Sequence, residues 1–204
     1  MKAIRLFVTM MLFGIAMGVT AQVTASELKI KASKDAKKEA KRLSKEGWTP
    51  FPGGLPIERQ YDKVFLLEYD EDINMEPKWA FGEGRDQGQF FEAARSTADA
   101  FAKSNLVGKL NTEITTEVKA QMSNKELQDA QAQSVAAVVE KSASITVQRL
   151  SGIKPVLQLQ RKLKNGNVEV MVRYAYNREK AKMDTFKWID DECKAQGINL
   201  GLVE

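Results

Sequence analysis

VLQLQRKLKNGNVEVMVRYAYN, residues 156–177, is the stretch on which the fold turns. Val156, Gln158 and Gln160 alternate with Leu157, Leu159, Arg161 and Leu163, the period-two pattern of a strand with one apolar face. Asn165-Gly166 follows, a pair that favours the tight turns joining antiparallel strands because both residues tolerate positive φ. Beyond it Val168, Val170, Val172, Tyr174 and Tyr176 fall on one face, and Glu169, Met171, Arg173 and Ala175 on the other. These residues predict a β-hairpin.

Working outward, Asn177 is placed to cap a final helix. Phe186, Ile189 and Cys193 form its inner face, Trp188 flanks them, and Gly197 stops it. Upstream, residues 89–121 carry helical spacing at Phe91, Ala94, Ala98, Phe101, Ala102, Leu106, Leu110, Ile114 and Val118. The small alanines let this helix lie close against a sheet or another helix. Ser104-Asn105 and Gly108 predict a bend in it. A second helix is expected to restart at Ser123 or Asn124, with Leu127, Ala130, Ser134, Val138, Ser142 and Ile145 in register; the β-branched run Ile145-Thr146-Val147 leaves 143–150 open between helix and strand. Before the long helix, residues 76–83 read as a short strand, and Gly82, Gly84 and Gly88 as a tight turn into the helix. A dinucleotide site would need a second parallel strand with an acidic residue about 20 positions on. The helix continues instead, so no cofactor is expected.

Residues 57–69 predict an amphipathic helix with Ile57, Tyr61, Val64, Phe65 and Leu66 on its apolar face, opened by Pro56. Pro50, Pro52, Gly53, Gly54 and Pro56 argue against any regular element over 48–56, while Trp48, Phe51 and Leu55 give that loop something to bury. Residues 27–32 alternate as a short strand or extended arm. Ser33 then caps a helix over 34–46 with Ala36, Ala40 and Leu43 on a narrow apolar stripe. The fold class expected is α+β: a small antiparallel sheet including the C-terminal hairpin, with long Ala-rich helices packed on one face.

The N-terminus, MKAIRLFVTMMLFGIAMGVTA, reads as a secretory signal peptide. Lys2 and Arg5 precede an apolar core at Leu6–Met17, shorter than the roughly 20 residues of a membrane span. Cleavage is expected after Ala21, or alternatively after Ala25. Loss of Lys2 and Arg5 takes the formal charge from +4 to +2, which argues against nucleic acid as a partner. No lipidated Cys follows the apolar core. The organisation expected is a signal peptide over 1–21, a basic helix and Pro/Gly loop over 22–56, and an α+β domain over 57–204.

Composition removes whole classes of chemistry. The chain has 204 residues, no His and one Cys. Without His there is no Ser-His-Asp or Cys-His nucleophile and no imidazole metal site. A single Cys excludes an internal disulfide and a zinc knuckle. Asp70, Asp72, Glu83, Asp86 and Glu92 are the carboxylates that a glycan hydrolase could use, but nothing in their spacing pairs them. The one concentrated charge feature is 29–46, where Lys34, Lys37, Lys38, Lys41, Arg42 and Lys45 are candidate contacts for an anionic lipid or polysaccharide. The plainer alternative is a solvated face whose lysines pair with Asp35 and Glu39 one turn away.

Trp79-Ala80-Phe81-Gly82, then Ala93-Ala94, Ala98 and Ala102, then Leu150-Ser151-Gly152-Ile153, then Val168 to Tyr176 follow an order that resembles the Lpp-twenty-like envelope lipoprotein family over roughly residues 76–180. The EGW…PGG…PIERQ stretch, 46–60, is similar to exported proteins of Bacteroides-type bacteria. The resemblance implies an α+β fold, a place in the cell envelope and no catalytic residues. The chain departs from that family in lacking the lipidated Cys. The function expected is that of an exported, non-enzymatic envelope protein in the periplasm or at the outer envelope, contacting an envelope protein or an anionic surface.

Overall fold

Alternation and helical spacing translate into nine elements in a computed structural model that describes residues 24–123, 128–150 and 153–203. In chain order they are α1 (Ala25–Lys45), β1 (Thr49–Pro50), α2 (Ile57–Glu68), β2 (Trp79–Gly88), α3 (Phe91–Ser123), α4 (Asp129–Leu150), β3 (Leu157–Lys162), β4 (Val168–Asn177) and α5 (Arg178–Ala195). The expected signal peptide and a helix restart at Asn124 lie outside the described residues.

The hairpin forms as its sequence predicts. β3 and β4 pair antiparallel from Leu157↔Arg173 to Lys162↔Val168, and Gly166 turns between them at φ 87°. β2 joins the other side of β4 in an antiparallel register from Trp79↔Asn177 to Gly88↔Val168, and β1 adds a short edge to β3, giving the order β1-β3-β4-β2. The α+β class with long helices on a sheet face is the observed one.

Helices also cover the second face. Val170, Val172 and Tyr174 point into a core shared with α3, α4 and α5, where Leu106, Leu110, Val135, Phe186 and Ile189 are buried. Leu157, Leu159, Met171 and Ala175 point the other way, into a core closed by Ala36 and Leu43 of α1, Trp48, and Ile57, Tyr61 and Val64 of α2. Both faces of the hairpin are therefore buried, and burial of this area is the main force holding the layers together.

The glycine segment is a strand and not a turn. Gly82 and Gly84 lie one strand period apart on the face under α3. A Cβ on Gly82 would sit 2.1 Å from the Ala102 carbonyl oxygen, and one on Gly84 would sit 2.0 Å from that of Ala98. The glycines let helix backbone approach strand backbone, which also explains the alanines at 94, 98 and 102. Only Gln89 and Phe90 separate β2 from α3, so the helix folds straight back along its own strand. Asn105 Nδ2 and Lys109 Nζ then donate to the carbonyls of Glu83 and Phe81, both at 2.8 Å, and so occupy main-chain acceptors of this edge strand.

Other expectations shift locally. The extended arm at 27–32 is helical, because Leu28, Ala32 and Ala36 fit an i, i+4, i+8 spacing as well as alternation. Thr24, not Ser33, is the cap: its hydroxyl accepts from Glu27 N at 3.3 Å while Glu27 Oε2 accepts from Thr24 N at 2.8 Å. Thr49–Pro50 is a strand despite its proline, since an outer edge needs no donor there. Gln60 fixes that edge: its side chain donates to Leu55 O at 2.6 Å and accepts from Gln158 N at 2.7 Å. α3 runs unbroken past Gly108, Phe101 and Leu66 are exposed, and the backbone of 143–150 is helical. Asn177 caps α5 as expected, accepting from Lys180 N at 2.9 Å.

Candidate anionic-partner surface

The candidate surface is built on α1. Its inner face is narrow, with Ala32, Ala36 and Leu43 buried. The helix closes with two bonds of a glycine cap: Gly47 N donates to Ser44 O at 3.1 Å and Trp48 N to Leu43 O at 3.0 Å, with Gly47 at φ 86°. Leu43 and Trp48 pack into one cluster across that cap, which locks the rotation of the helix about its axis. Rotation decides which side chains face out. At about 100° per residue, Lys31, Lys34, Lys37, Lys38, Lys41 and Lys45 fall within an arc of about 120°. All six are exposed.

Among the acids on the same helix, Glu27 bonds Thr24 at the first turn, and Asp35 and Glu39 form no ion pair with the lysines of the arc, although the charge of Lys38 adds to that of Arg42 in lowering the Glu39 carboxyl. Asp35 Oδ2 accepts from the Tyr69 hydroxyl at 2.6 Å, on the flank toward α2. Glu39 holds Arg42 through two contacts, Nε–Oε2 at 2.9 Å and NH2–Oε1 at 2.5 Å, and Arg42 also bonds Glu46. The Arg42 guanidinium holds the Glu39 carboxyl below its usual range. Of the predicted contacts, the structure therefore brings Lys34, Lys37, Lys38, Lys41 and Lys45 onto one stripe and takes Arg42 out of it. The expected pairing of these lysines with Asp35 and Glu39 does not occur: the two acids point along the flank to Tyr69 and Arg42. Lys31, just beyond the predicted set, places its ammonium 4.2 Å from the Tyr69 ring centroid.

The five candidate carboxylates are dispersed. Asp70 bonds Lys78 at 2.7 Å and the Trp79 indole at 2.9 Å, and Lys78 first among these holds its carboxyl below the usual range. Asp72 accepts from the backbone of Asn74 and Glu76. Glu83 pairs with Arg85 at 2.9 Å and Glu92 with Arg95 at 3.6 Å. Asp86 and Glu83 point to opposite faces of β2. Asp72 and Glu92 line different cavities. The cavity at Asp72, about 590 Å³, lies between the 72–78 loop, α3 and the start of α5, and holds the ion pairs Arg178–Glu113 at 2.6 Å and Lys182–Glu117 at 2.5 Å. The cavity at Glu92, about 290 Å³, includes Asp99, which accepts from the Tyr174 hydroxyl. Among the described residues no group of three His, Cys, Asp or Glu side chains could hold a metal ion, and no helix is long and apolar enough to cross a membrane. Cys193 is fully buried, and loss of solvent pushes its thiol up.

Sequence reasoning missed the buried carboxylate of Asp190, which accepts from the backbone of Leu202 and Val203 and ties down the C-terminal tail. Its signal was an acid on an otherwise apolar helix face. The fold and surface together define an α+β protein with a sheet covered on both faces and a lysine stripe on its outer helix. No family model, no curated protein and no solved structure matches the chain.

Proposed function

We propose that this chain is an exported, non-enzymatic protein of the bacterial cell envelope that acts as an interaction module, with the lysine stripe of α1 as its contact for an anionic partner. The observation that carries the reading is the segregation of charge on α1. Five lysines on one arc have no ion-pair partner among the described residues, while the acids beside them are committed to Tyr69 and Arg42. The signal-like N-terminus and the resemblance to envelope lipoproteins support the location. The alternative partners within this reading are anionic lipid and anionic polysaccharide, which share the same charge chemistry.

A cation near an anionic surface contributes about 1 kcal/mol, so four reversals remove several orders of magnitude in affinity. Lys34, Lys37, Lys38 and Lys41 replaced together by Glu should abolish retention on immobilised heparin and on anionic vesicles alike. Wild-type binding to at least one of the two should weaken steeply as salt rises. Unchanged binding by the reversed variant overturns the surface assignment. For the location, expressing cells should yield a chain beginning at Gln22 or Ser26 outside the cytoplasm; an unprocessed cytoplasmic chain overturns it.

A further inference from the structure

The outward arc of α1 is made of a single residue type. At about 100° per residue, the positions from 31 to 45 that fall within about 60° of the point opposite Ala32, Ala36 and Leu43 are Lys31, Lys34, Lys37, Lys38, Lys41 and Lys45, and no other residue type stands among them. The ammoniums recur about once per turn and run along the helix for about 20 Å. The stripe is also narrow. On the flank toward α2 stand Asp35, Glu39 and Glu46, with Arg42 held between the two glutamates. On the other flank stand Ser33 and Ser44, the second fully open to solvent. Lys31 lies over the Tyr69 ring, and the other five lysines form no ion pair among the described residues.

That pattern suits one kind of polyanion better than others. A helix that lies on a bilayer buries an apolar face in it. The apolar face of α1 is already buried inside the protein, in one cluster with Trp48, Ile57 and Tyr61. Ile30, about one turn before Lys34, is the exposed large apolar side chain of this helix, and a lone exposed apolar residue is ordinary. An anionic bilayer is charged in two dimensions, so it reaches across the helix and meets Asp35, Glu39 and Glu46 as well. Single-stranded nucleic acid is held by aromatic side chains on which its bases stack and by Arg. The arc carries no aromatic side chain, and Arg42 is committed to Glu39 and Glu46. Capture of one small anion in a fixed pose favours the planar fork of Arg for the same reason. Lysines on flexible stems answer a row of charges whose detailed placement matters little.

We infer that the partner of the stripe is a linear anionic polysaccharide lying along the axis of α1, its acidic groups meeting Lys34, Lys37, Lys38, Lys41 and Lys45 in turn. The inference rests on the reading of the stripe given above and narrows its partner. A chain one sugar wide follows the ridge of the helix without crossing to the acids of the α2 flank. On its other side it passes the Ser44 hydroxyl, which has the same hydrogen-bonding chemistry as the sugar hydroxyls. Release of counterions from the polymer drives the association, so affinity depends on how many charges are engaged at once and falls steeply with salt.

The test compares the protein recovered from expressing cells on heparin fragments of increasing length, from the disaccharide upward, on vesicles of phosphatidylglycerol with phosphatidylcholine, and on a single-stranded oligonucleotide, all at equal anionic charge. Affinity for heparin should climb with fragment length until the fragment spans the stripe and then level off, and it should exceed that for the vesicles and the oligonucleotide. Lys34→Gln with Lys45→Gln, one from each end, should weaken long fragments about tenfold and lower the slope of log affinity against log salt by about 0.7 per lysine, with an unchanged melting temperature. A fragment short enough to rest on Lys37, Lys38 and Lys41 should lose far less. The control pair Lys119→Gln with Lys187→Gln, exposed on helices of the opposite sheet face, should bind as wild type does. Tighter binding to the vesicles or to the oligonucleotide than to heparin, or an affinity that does not change with fragment length, overturns the polysaccharide inference and leaves the lysine surface standing. An equal loss in the control pair, or binding to none of the three, overturns both.

Discussion

The two faces of the sheet are filled by opposite means. Under α3 the contact is almost backbone on backbone: Gly82 and Gly84 meet Ala98, Ala102 and the base of Leu106. Under α1 and α2 the contact is between large side chains, with Leu157, Leu159 and Met171 against Trp48, Tyr61 and Val64. At Gly82 and Gly84 the first face has no room for an added atom, and the second leaves a void when atoms are removed. A packed interior penalises both errors, but a clash with backbone leaves less freedom to relax than a cavity does.

The sharpest break of that contrast is Gly84→Ala. The new methyl would lie 2.0 Å from Ala98 O and 2.5 Å from Ala102 N, so α3 must lift off β2 along its length. We expect a loss on the order of 5 kcal/mol, exceptional for one substitution, or no folded protein, read by chemical denaturation. On the opposite face Leu159→Ala should cost about 3 kcal/mol with the fold retained. An equal or larger cost for Leu159→Ala would show that the glycine face yields after all.

The tyrosines test both faces together. Burial first, then nearby Glu39 and Glu83, pushes Tyr61 from 10.0 to about 12, and burial followed by the bond to Asp99 raises Tyr174. A raised folded-state value means that the stability from these groups is fully present below pH 10, the unfolded value, and is lost as pH rises through the folded one. Tyrosinate absorbance should lag that of the denatured chain, and stability should fall between about pH 10 and 12; ionisation at pH 10 without loss of structure contradicts the burial of both rings. The smallest effect is a gain. Gly108 lies on the exposed side of the same helix α3, with nothing within 4 Å of an added Cβ, so Gly108→Ala should stabilise by about 0.7 kcal/mol in the same denaturation experiment.

Much of the architecture was legible in the residues. The alternation over 156–177 with Asn165-Gly166, the spacing of Ala94, Ala98 and Ala102, and the Asn177 cap are local signals, and local geometry answers them. The glycine segment was misread because Gly82 and Gly84 serve a turn and a close strand equally well; only the helix folded back upon them separates the two. Thr49–Pro50 and Gln60 were invisible for a similar reason, since their partners on β3, Gln160 and Leu159 for the strand and Gln158 for Gln60, lie far along the chain. The lysines were legible as a cluster. Their freedom was not, because Tyr69 claims Asp35 from another helix.

By itself the sequence determined the α+β class, the hairpin, most of the helical spans, the absence of imidazole and internal disulfide chemistry, and the one concentrated cationic segment. All of these follow from residue type and from periods of a few residues. Tertiary structure decided what faces what: that both sides of the hairpin are buried, that β2 needs glycine to admit α3, and that five lysines on one arc form no ion pair among the described residues. Those outcomes depend on contacts between segments far apart in the chain, and no local pattern encodes which distant group arrives first at a given face.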